Sequence, residues 1–293
     1  MVFITDAFAA VGAMVGLAVG DAMGAPLEGL PPPPVRVRKM TGGGIHGTRP
    51  GQFTDDTLQA CAVAESLVYC RGFDPCDLLR RLLRGYRRHP EFFGPTSRAV
   101  LDRVAWGWDP VSAAAAAHRE RGSSRSNGSV MRGAPLGIFY GPARIRPVSL
   151  ACSALTHHDP AAGECSAFIN RMVSGLCRGE DGNTAYHRAC RAVRDPKIAT
   201  VLASSTGLPL RPSLDALETA HSAARILLTT RSFSDAVVTA INQGGDADTL
   251  GAVVGALAGA RYGIRAIPPD WLAGLDQHDR IIETGIRLWT AGE

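Results

Sequence analysis

The sequence lacks most of the signals that would place it outside the ordinary globular class. Its 293 residues carry 31 Lys+Arg against 27 Asp+Glu, a surplus of only 4, which is too small to argue for nucleic acid as a partner. The nearest thing to a basic run, Arg80, Arg81, Arg84, Arg87 and Arg88, falls at helical spacing and reads as a solvated face. The seven cysteines are scattered and odd in number, with no Cys-x-x-Cys pair. A disulfide framework and a structural zinc site are both disfavoured, and most cysteines read as small core residues in a reducing compartment. The apolar run over residues 7–20 is too short to span a bilayer. It is flanked by Asp6 and Asp21 where a signal peptide would carry positive charge. It reads as a buried first helix, and the expected location is the cytoplasm, with no membrane association.

Strand signals are also lacking, since no alternation of apolar and polar residues runs long enough. Neither a composition shift nor a repeat divides the chain. What is present is helical periodicity. Leu58, Cys61, Ala62, Leu67 and Val68 follow an i, i+3, i+4 pattern, and Leu78, Leu79, Leu82 and Leu83 repeat it. Further helices are expected over residues 111–118, 160–177, 214–228, 234–242, 249–262 and 280–289, separated by Gly- and Pro-rich connectors. With 45% hydrophobic residues the chain can bury a full core. The reading is a single all-α domain over residues 1–293, a multi-helix bundle with long functional loops.

Two acidic clusters each open a helix: Thr54-Asp55-Asp56-Thr57 after Pro50-Gly51-Gln52-Phe53, and Asp246-Ala247-Asp248-Thr249 after Asn242-Gln243-Gly244-Gly245. One acid suffices to cap a helix. Two acids and a hydroxyl, used twice, exceed that need, and close carboxylates repel unless a cation or proton lies between them. Oxygen ligands of this kind suit Mg²⁺ or Mn²⁺. On cluster chemistry alone, metal binding and paired caps both stay open. Residues two apart on a helix diverge, so Asp246 and Asp248 can share a site only in a loop or first turn, which Gly244-Gly245 permits.

Three weaker features accompany them. Gly20 to Glu28 ends an apolar helix in a small-residue turn carrying Asp21 and Glu28; a lone Glu in such a loop is ordinarily solvated. Ser126-Asn127-Gly128-Ser129-Val130-Met131-Arg132 lets backbone N–H groups approach a ligand, or is simply a turn. Thr156-His157-His158-Asp159 is catalytic, metal-binding or a helix C-terminal cap.

Taken together and in order, GLAVGDAMGAPLE from Gly16, PGQFTDDT from Pro50, SNGSVMR from Ser126, LTHHD from Leu155 and NQGGDADTLGAVVGALAGARYG from Asn242 resemble the ADP-ribosylglycohydrolase family. The resemblance spans nearly the whole chain. It implies an all-α fold with a dimetal cleft holding two divalent cations, Mg²⁺ or Mn²⁺, on Thr54, Asp55, Asp56, Asp246, Asp248 and Thr249. It implies ligand contacts from Ser126, Asn127, Gly128, Met131 and His157, and catalysis by Glu28 or Asp55. The expected activity is metal-dependent hydrolysis of the glycosidic bond between ADP-ribose and a modified protein side chain, arginine-linked in the first instance, or a small ADP-ribosyl conjugate. ADP-ribosyl-serine, O-acetyl-ADP-ribose and a non-catalytic ADP-ribose-binding role are the alternatives. The chain is expected to be a monomer. Two positions depart from the pattern. Ser124 stands where the arginine-specific bacterial members carry Asp, and Asp159 stands where members acting on other linkages show a second His.

Overall fold

The computed structural model describes residues 7–204 and 209–293; Asp6, read as the acidic flank of the first helix, lies outside them. The helices follow in order as α1 (Phe8–Gly24), α2 (Asp55–Cys70), α3 (Pro75–Arg88), α4 (Pro95–Ala105), α5 (Pro110–Arg121), α6 (Gly128–Met131), α7 (Ala134–Phe139) and α8 (Ile145–Ala154). Then come α9 (Pro160–Cys177), α10 (Gly182–Ala192), α11 (Pro196–Ala203), α12 (Ala216–Thr229), α13 (Phe233–Ile241), α14 (Ala247–Tyr262), α15 (Pro269–Gly274) and α16 (His278–Ala291). Among the described residues there is no strand, only isolated bridges between Gly43 and Thr48 and between Ser126 and Asp215.

Local chemistry explains many of the starts. Asp74-Pro75, Asp109-Pro110, Asp159-Pro160 and Asp195-Pro196 each place an Asp at the N-cap, whose side chain accepts a backbone N–H of the first turn, and a proline where no N–H is needed. Several helices escape the periodicity reading. Pro95–Ala105, Ile145–Ala154, Gly182–Ala192 and Pro196–Ala203 are short and bury only a narrow stripe. The loop expected at 126–132 contains the single turn α6.

The first helix is longer than the apolar run suggests. Together with the short 3₁₀ turn Ala25–Leu27 it makes 20 residues, long and apolar enough to cross a membrane, yet 89% of its most apolar window is buried inside the fold. It is the central core helix, and Asp21, read as its flank, lies within it at 0% exposure.

The partner of α1 is α14, packed antiparallel through glycines. Gly12, Gly16 and Gly20 recur every four residues and so share one helix face; Gly259, Gly255 and Gly251 face them. A Cβ on Gly16 would lie 2.3 Å from the Gly255 carbonyl oxygen, and one on Gly20 would lie 1.9 Å from that of Gly251. No side chain fits between the two backbones. At the end of this seam a Cβ on Gly24 would meet the Asp248 Cα at 2.4 Å, so the acid-bearing start of α14 is pressed against the end of α1. Helix α9, buried along most of its length, packs against the same core.

Gly16→Ala or Gly20→Ala is expected to lower stability by about 1–3 kcal/mol through forced separation of the helices, seen as a lower urea midpoint. Gly141→Ala, where an added Cβ meets nothing within 4 Å, is the control and is expected to stay near wild type. Equal midpoints for all three would mean that the seam tolerates a methyl group.

Candidate functional site

The two acidic clusters do not cap their helices. Thr54 and Asp246 occupy the N-cap positions of α2 and α14, and neither side chain makes a capping hydrogen bond. For α2 the task passes to Asp21. Its carboxylate accepts from the Thr54 N–H (2.9 Å), the Thr57 N–H (2.9 Å) and the hydroxyls of Thr54 (2.8 Å) and Thr57 (2.6 Å). The orphan donors of the first turn are thus satisfied from α1, and Asp55 and Asp56 are left to face a cleft. Sequence reasoning noted Asp21 but gave it no role; its signal was a charge inside an otherwise apolar helix.

Glu28 reaches the same cleft from the end of α1. Its segment is docked by reciprocal backbone bonds, Gly29 N–H to the Gly245 oxygen and Gly245 N–H to the Leu30 oxygen, both 2.8 Å. Gly244 and Gly245 have φ of +74° and +62°, and a Cβ on Gly245 would lie 2.2 Å from the Pro212 oxygen. This turn sets Asp246 at the cap and Asp248 in the first turn, so the two converge as the sequence argument required. One carboxylate oxygen from each of Glu28, Asp246 and Asp248 lies within 4.8 Å of the others.

The cleft holds about 440 Å³, and its lining includes Glu28, Asp55, Asp56, Asp246, Asp248 and Thr249 together with Ser126, Asn127, Gly128, Met131 and His157. Every expected site residue is therefore on its lining except Thr54, which is set behind it with its hydroxyl on Asp21. The Asn127 amide donates to Asp246 Oδ2 (2.5 Å) and to Thr219 Oγ1 (3.0 Å), tying its own segment to the acids. Gly128 leaves room for His157, whose Cε1 would lie 3.0 Å from an added Cβ.

Residues missed by sequence reasoning also line or approach the cleft. Phe92, Thr96, Arg121 and Arg125 are on its lining. His46, from the glycine-rich 42–47 loop, brings Nε2 to 2.8 Å from Glu28 Oε2 and packs edge-on against Phe92. None of these carries a local signal beyond an exposed-looking loop residue.

The electrostatics are those of carboxylates crowded out of water. Burial, then the Asp248 charge, raises Glu28 to about 7 against the opposing pull of His46. Burial raises Asp246 to about 6, although the Asp248 and Asn127 hydrogen bonds oppose it. Burial followed by neighbouring carboxylates holds Asp55, Asp56 and Asp248 well above the usual range. Asp56 Oδ1 is buried without a hydrogen-bond partner. Hard oxygen donors, mutually repelling and left unsatisfied, fit divalent cations.

Comparison with known proteins agrees with this geometry. The ADP-ribosylglycohydrolase family model matches residues 5–293. The ADP-ribosyl-[dinitrogen reductase] glycohydrolase of Rhodospirillum rubrum is 32% identical over 277 residues, covering 91% of this chain and 90% of its own. An ADP-ribosylarginine hydrolase of Serratia proteamaculans is 31% identical over 303 residues, covering 96% and 78%. A solved structure titled as an ADP-ribosylglycohydrolase-related protein complex superimposes with a TM-score of 0.87 at 35% identity, covering 98% of this chain and 99% of that one. The chain belongs to the ADP-ribosylglycohydrolase family, enzymes that hydrolyse glycosidic bonds to ADP-ribose.

The raised carboxylates give a test of cation binding. In the metal-free protein their contribution to stability is complete below the unfolded values of 3.8 and 4.5. It is lost as pH rises through about 6 for Asp246 and about 7 for Glu28. A cation replaces those protons, so the rise in Tm produced by Mn²⁺ is expected to grow from pH 5 to pH 8. A Tm shift that is independent of pH would show that the cation binds elsewhere.

Proposed function

We propose that the protein is a metal-dependent ADP-ribosylhydrolase that releases ADP-ribose from a modified arginine side chain. The observation that carries this reading is the convergence of Glu28, Asp55, Asp56, Asp246 and Asp248, from both ends of the chain, on one cleft. The same cleft is lined by Ser126, Asn127 and His157, which offer polar groups to a ligand. Asp55, Asp56, Asp246, Asp248 and Thr249 would hold two divalent cations, Mg²⁺ or Mn²⁺, with Thr54 behind them. Cations held there would supply Lewis acidity and fixed positive charge.

The protein's own groups supply the rest. Departure of the acceptor from ribosyl C1 builds positive charge on the sugar ring, and buried carboxylates stabilise it. Glu28, on the cleft lining beside the other acids, is suited to take the proton of an attacking water. The water oxygen bonds to C1 as its proton passes to Glu28, the C1–N bond breaks, and Glu28 returns that proton to the leaving acceptor nitrogen. The products are ADP-ribose and the free side chain. Asp55 is the second candidate for water activation.

Arginine linkage draws support from the outer cleft. Ser124 does not line it; it is 2% exposed, with its hydroxyl accepting the Asp159 N–H (2.8 Å) and lying 2.9 Å from His118 Nδ1. Asp159 does line the cleft. One of its oxygens caps α9 through the Ala161 N–H, and the other remains for a guanidinium. The relatives of Rhodospirillum and Serratia, named for dinitrogen reductase and for ADP-ribosylarginine, point the same way.

Glu28→Gln and Asp55→Ala are each expected to lower turnover on an ADP-ribosyl-arginine peptide by about 10²–10⁴-fold, and a chelator is expected to abolish it. Asp159→Asn is expected to impair the arginine-linked substrate more than an O-linked ADP-ribosyl conjugate. Full turnover after complete metal removal would overturn the mechanism. Preference for the O-linked conjugate in the wild-type protein would overturn the linkage.

A further inference from the structure

Behind the cleft lies Arg132, the last residue of the Ser126 to Arg132 segment, at 0% exposure. No carboxylate contacts it among the described residues. A buried guanidinium is costly unless its donors are used, and an apolar side chain of similar volume would fill the same space. Nε has no hydrogen-bond partner, and the two terminal nitrogens carry all of the guanidinium's hydrogen bonds. Nη1 donates to Gln59 Oε1 (3.0 Å), and Nη2 donates to Thr156 Oγ1 (2.8 Å) and to the Cys152 carbonyl (2.9 Å).

Each arm has a fixed polarity, because guanidinium has donors only. Gln59 must turn its amide oxygen to Arg132, which leaves Nε2 to donate to Asp55 Oδ2 at 2.7 Å. Thr156 accepts from Arg132, and its single hydroxyl proton has one remaining acceptor, His157 Nδ1 at 2.8 Å. The His157 proton then sits on Nε2 and is donated to Ser126 Oγ (3.0 Å), which in turn donates to Thr96 Oγ1 (2.9 Å). The opposite polarity would leave the buried Thr156 hydroxyl proton without an acceptor. Thr96 lines the cleft, so this chain of donors ends at the cleft. His157 is held neutral by burial and by the Arg132 charge, its pKa lowered to about 3, in keeping with a ring that has one proton to place.

We propose that Arg132 is a positioning residue for both halves of the site: through Gln59 it aims Asp55 at the cations, and through Thr156 it fixes His157 as the Nε2–H tautomer, so that Ser126 and Thr96 are oriented toward the ADP-ribosyl ligand. The inference rests on the proposed function for the ligands it names, but its first readout needs neither substrate nor metal.

¹⁵N-histidine NMR of the full chain reads the tautomer directly, with His157 assigned through the loss of its signals in His157→Gln. A proton on Nε2 is expected, and a proton on Nδ1 overturns the proposal. The two arms are then separated by calorimetry. Gln59→Leu is expected to weaken Mn²⁺ binding about tenfold with the tautomer unchanged. Thr156→Val is expected to weaken ADP-ribose binding about tenfold with Mn²⁺ affinity unchanged. Arg132→Lys, which keeps the charge but loses the fork, is expected to weaken both. Gln59→Leu with wild-type Mn²⁺ affinity, or Thr156→Val with wild-type ADP-ribose affinity, overturns the proposal even if Arg132→Lys fails to fold. Failure of the functional reading itself would show separately, as absence of ADP-ribose binding by the wild-type protein.

Discussion

The contact on which the site depends is the side-chain-free seam between α1 and α14. Helices with ordinary side chains at their interface pack with axes about 8–10 Å apart. Here a Cβ at Gly16, Gly20, Gly251, Gly255 or Gly259 would fall within 2.5 Å of the facing carbonyl oxygen, so the backbones themselves are in contact. The consequence is positional. Asp21 and Glu28 are carried by α1 and its continuation, and Asp246 and Asp248 by the start of α14. Their shared geometry, with ligand oxygens within 4.8 Å for Glu28, Asp246 and Asp248, exists because nothing holds those helices apart. A bundle spaced by leucines would place the same residues too far apart to share a cation.

A division of labour among the acids follows from that proximity. Asp and Ser cap helices elsewhere in the fold, at Asp74, Asp109, Asp159, Asp181, Asp195, Asp215 and Ser232. At α2 the acid that satisfies the first turn comes from another helix, Asp21, and the acids of α2 itself are released to the cleft. Asn127 restrains Asp246 and Gln59 restrains Asp55 with one amide donor each. Each carboxylate is thereby held in place by a single amide donor and keeps its other oxygen toward the cleft.

Much of this was legible in the sequence, and the parts that were not have a common cause. The long helices announced themselves through periodicity, and the two acidic clusters through an excess of acid over any capping need. The all-α class followed, while the meeting of residues 54–56 with 246–249 in one site came from the family resemblance. What local sequence could not carry was the direction of a side chain relative to a distant element. Asp21 looks like the end of an apolar run until Thr54 and Thr57 are seen to hang from it. Thr54 belongs to the acidic motif yet sits behind the cleft. Ser124 replaces a site residue in the family pattern and proves to be a buried prop for Asp159. Arg132 closes a recognisable motif, but its partners Gln59 and Thr156 lie on other elements. Each is settled by packing over tens to hundreds of residues, where periodicity says nothing.

The remaining question is what balances so much buried negative charge. The N-termini of α2 and α14 both point toward the acids, and a helix dipole stabilises a nearby anion by about 0.3–1 kcal/mol, up to about 2 in partly buried geometry. Two such termini offset only a few kcal/mol. Removing a single carboxylate from water has an effective penalty of several kcal/mol even after relaxation, and Glu28, Asp55, Asp56, Asp246 and Asp248 all line the cleft. Dipoles and single amide donors therefore fall short by a wide margin. Arg132 cannot close the gap either, since it reaches Asp55 only through Gln59. Protons close it in the metal-free protein, which is why Glu28 and Asp246 are raised to about 7 and about 6 and their neighbours are raised as well. Divalent cations would close it with two charges each, and Asp56 Oδ1, buried without a hydrogen-bond partner, is an oxygen they would use. The near-neutral surplus of 4 over the whole chain conceals this imbalance. The positive charge sits mostly on the surface, and the deficit sits where a ribose would be bound.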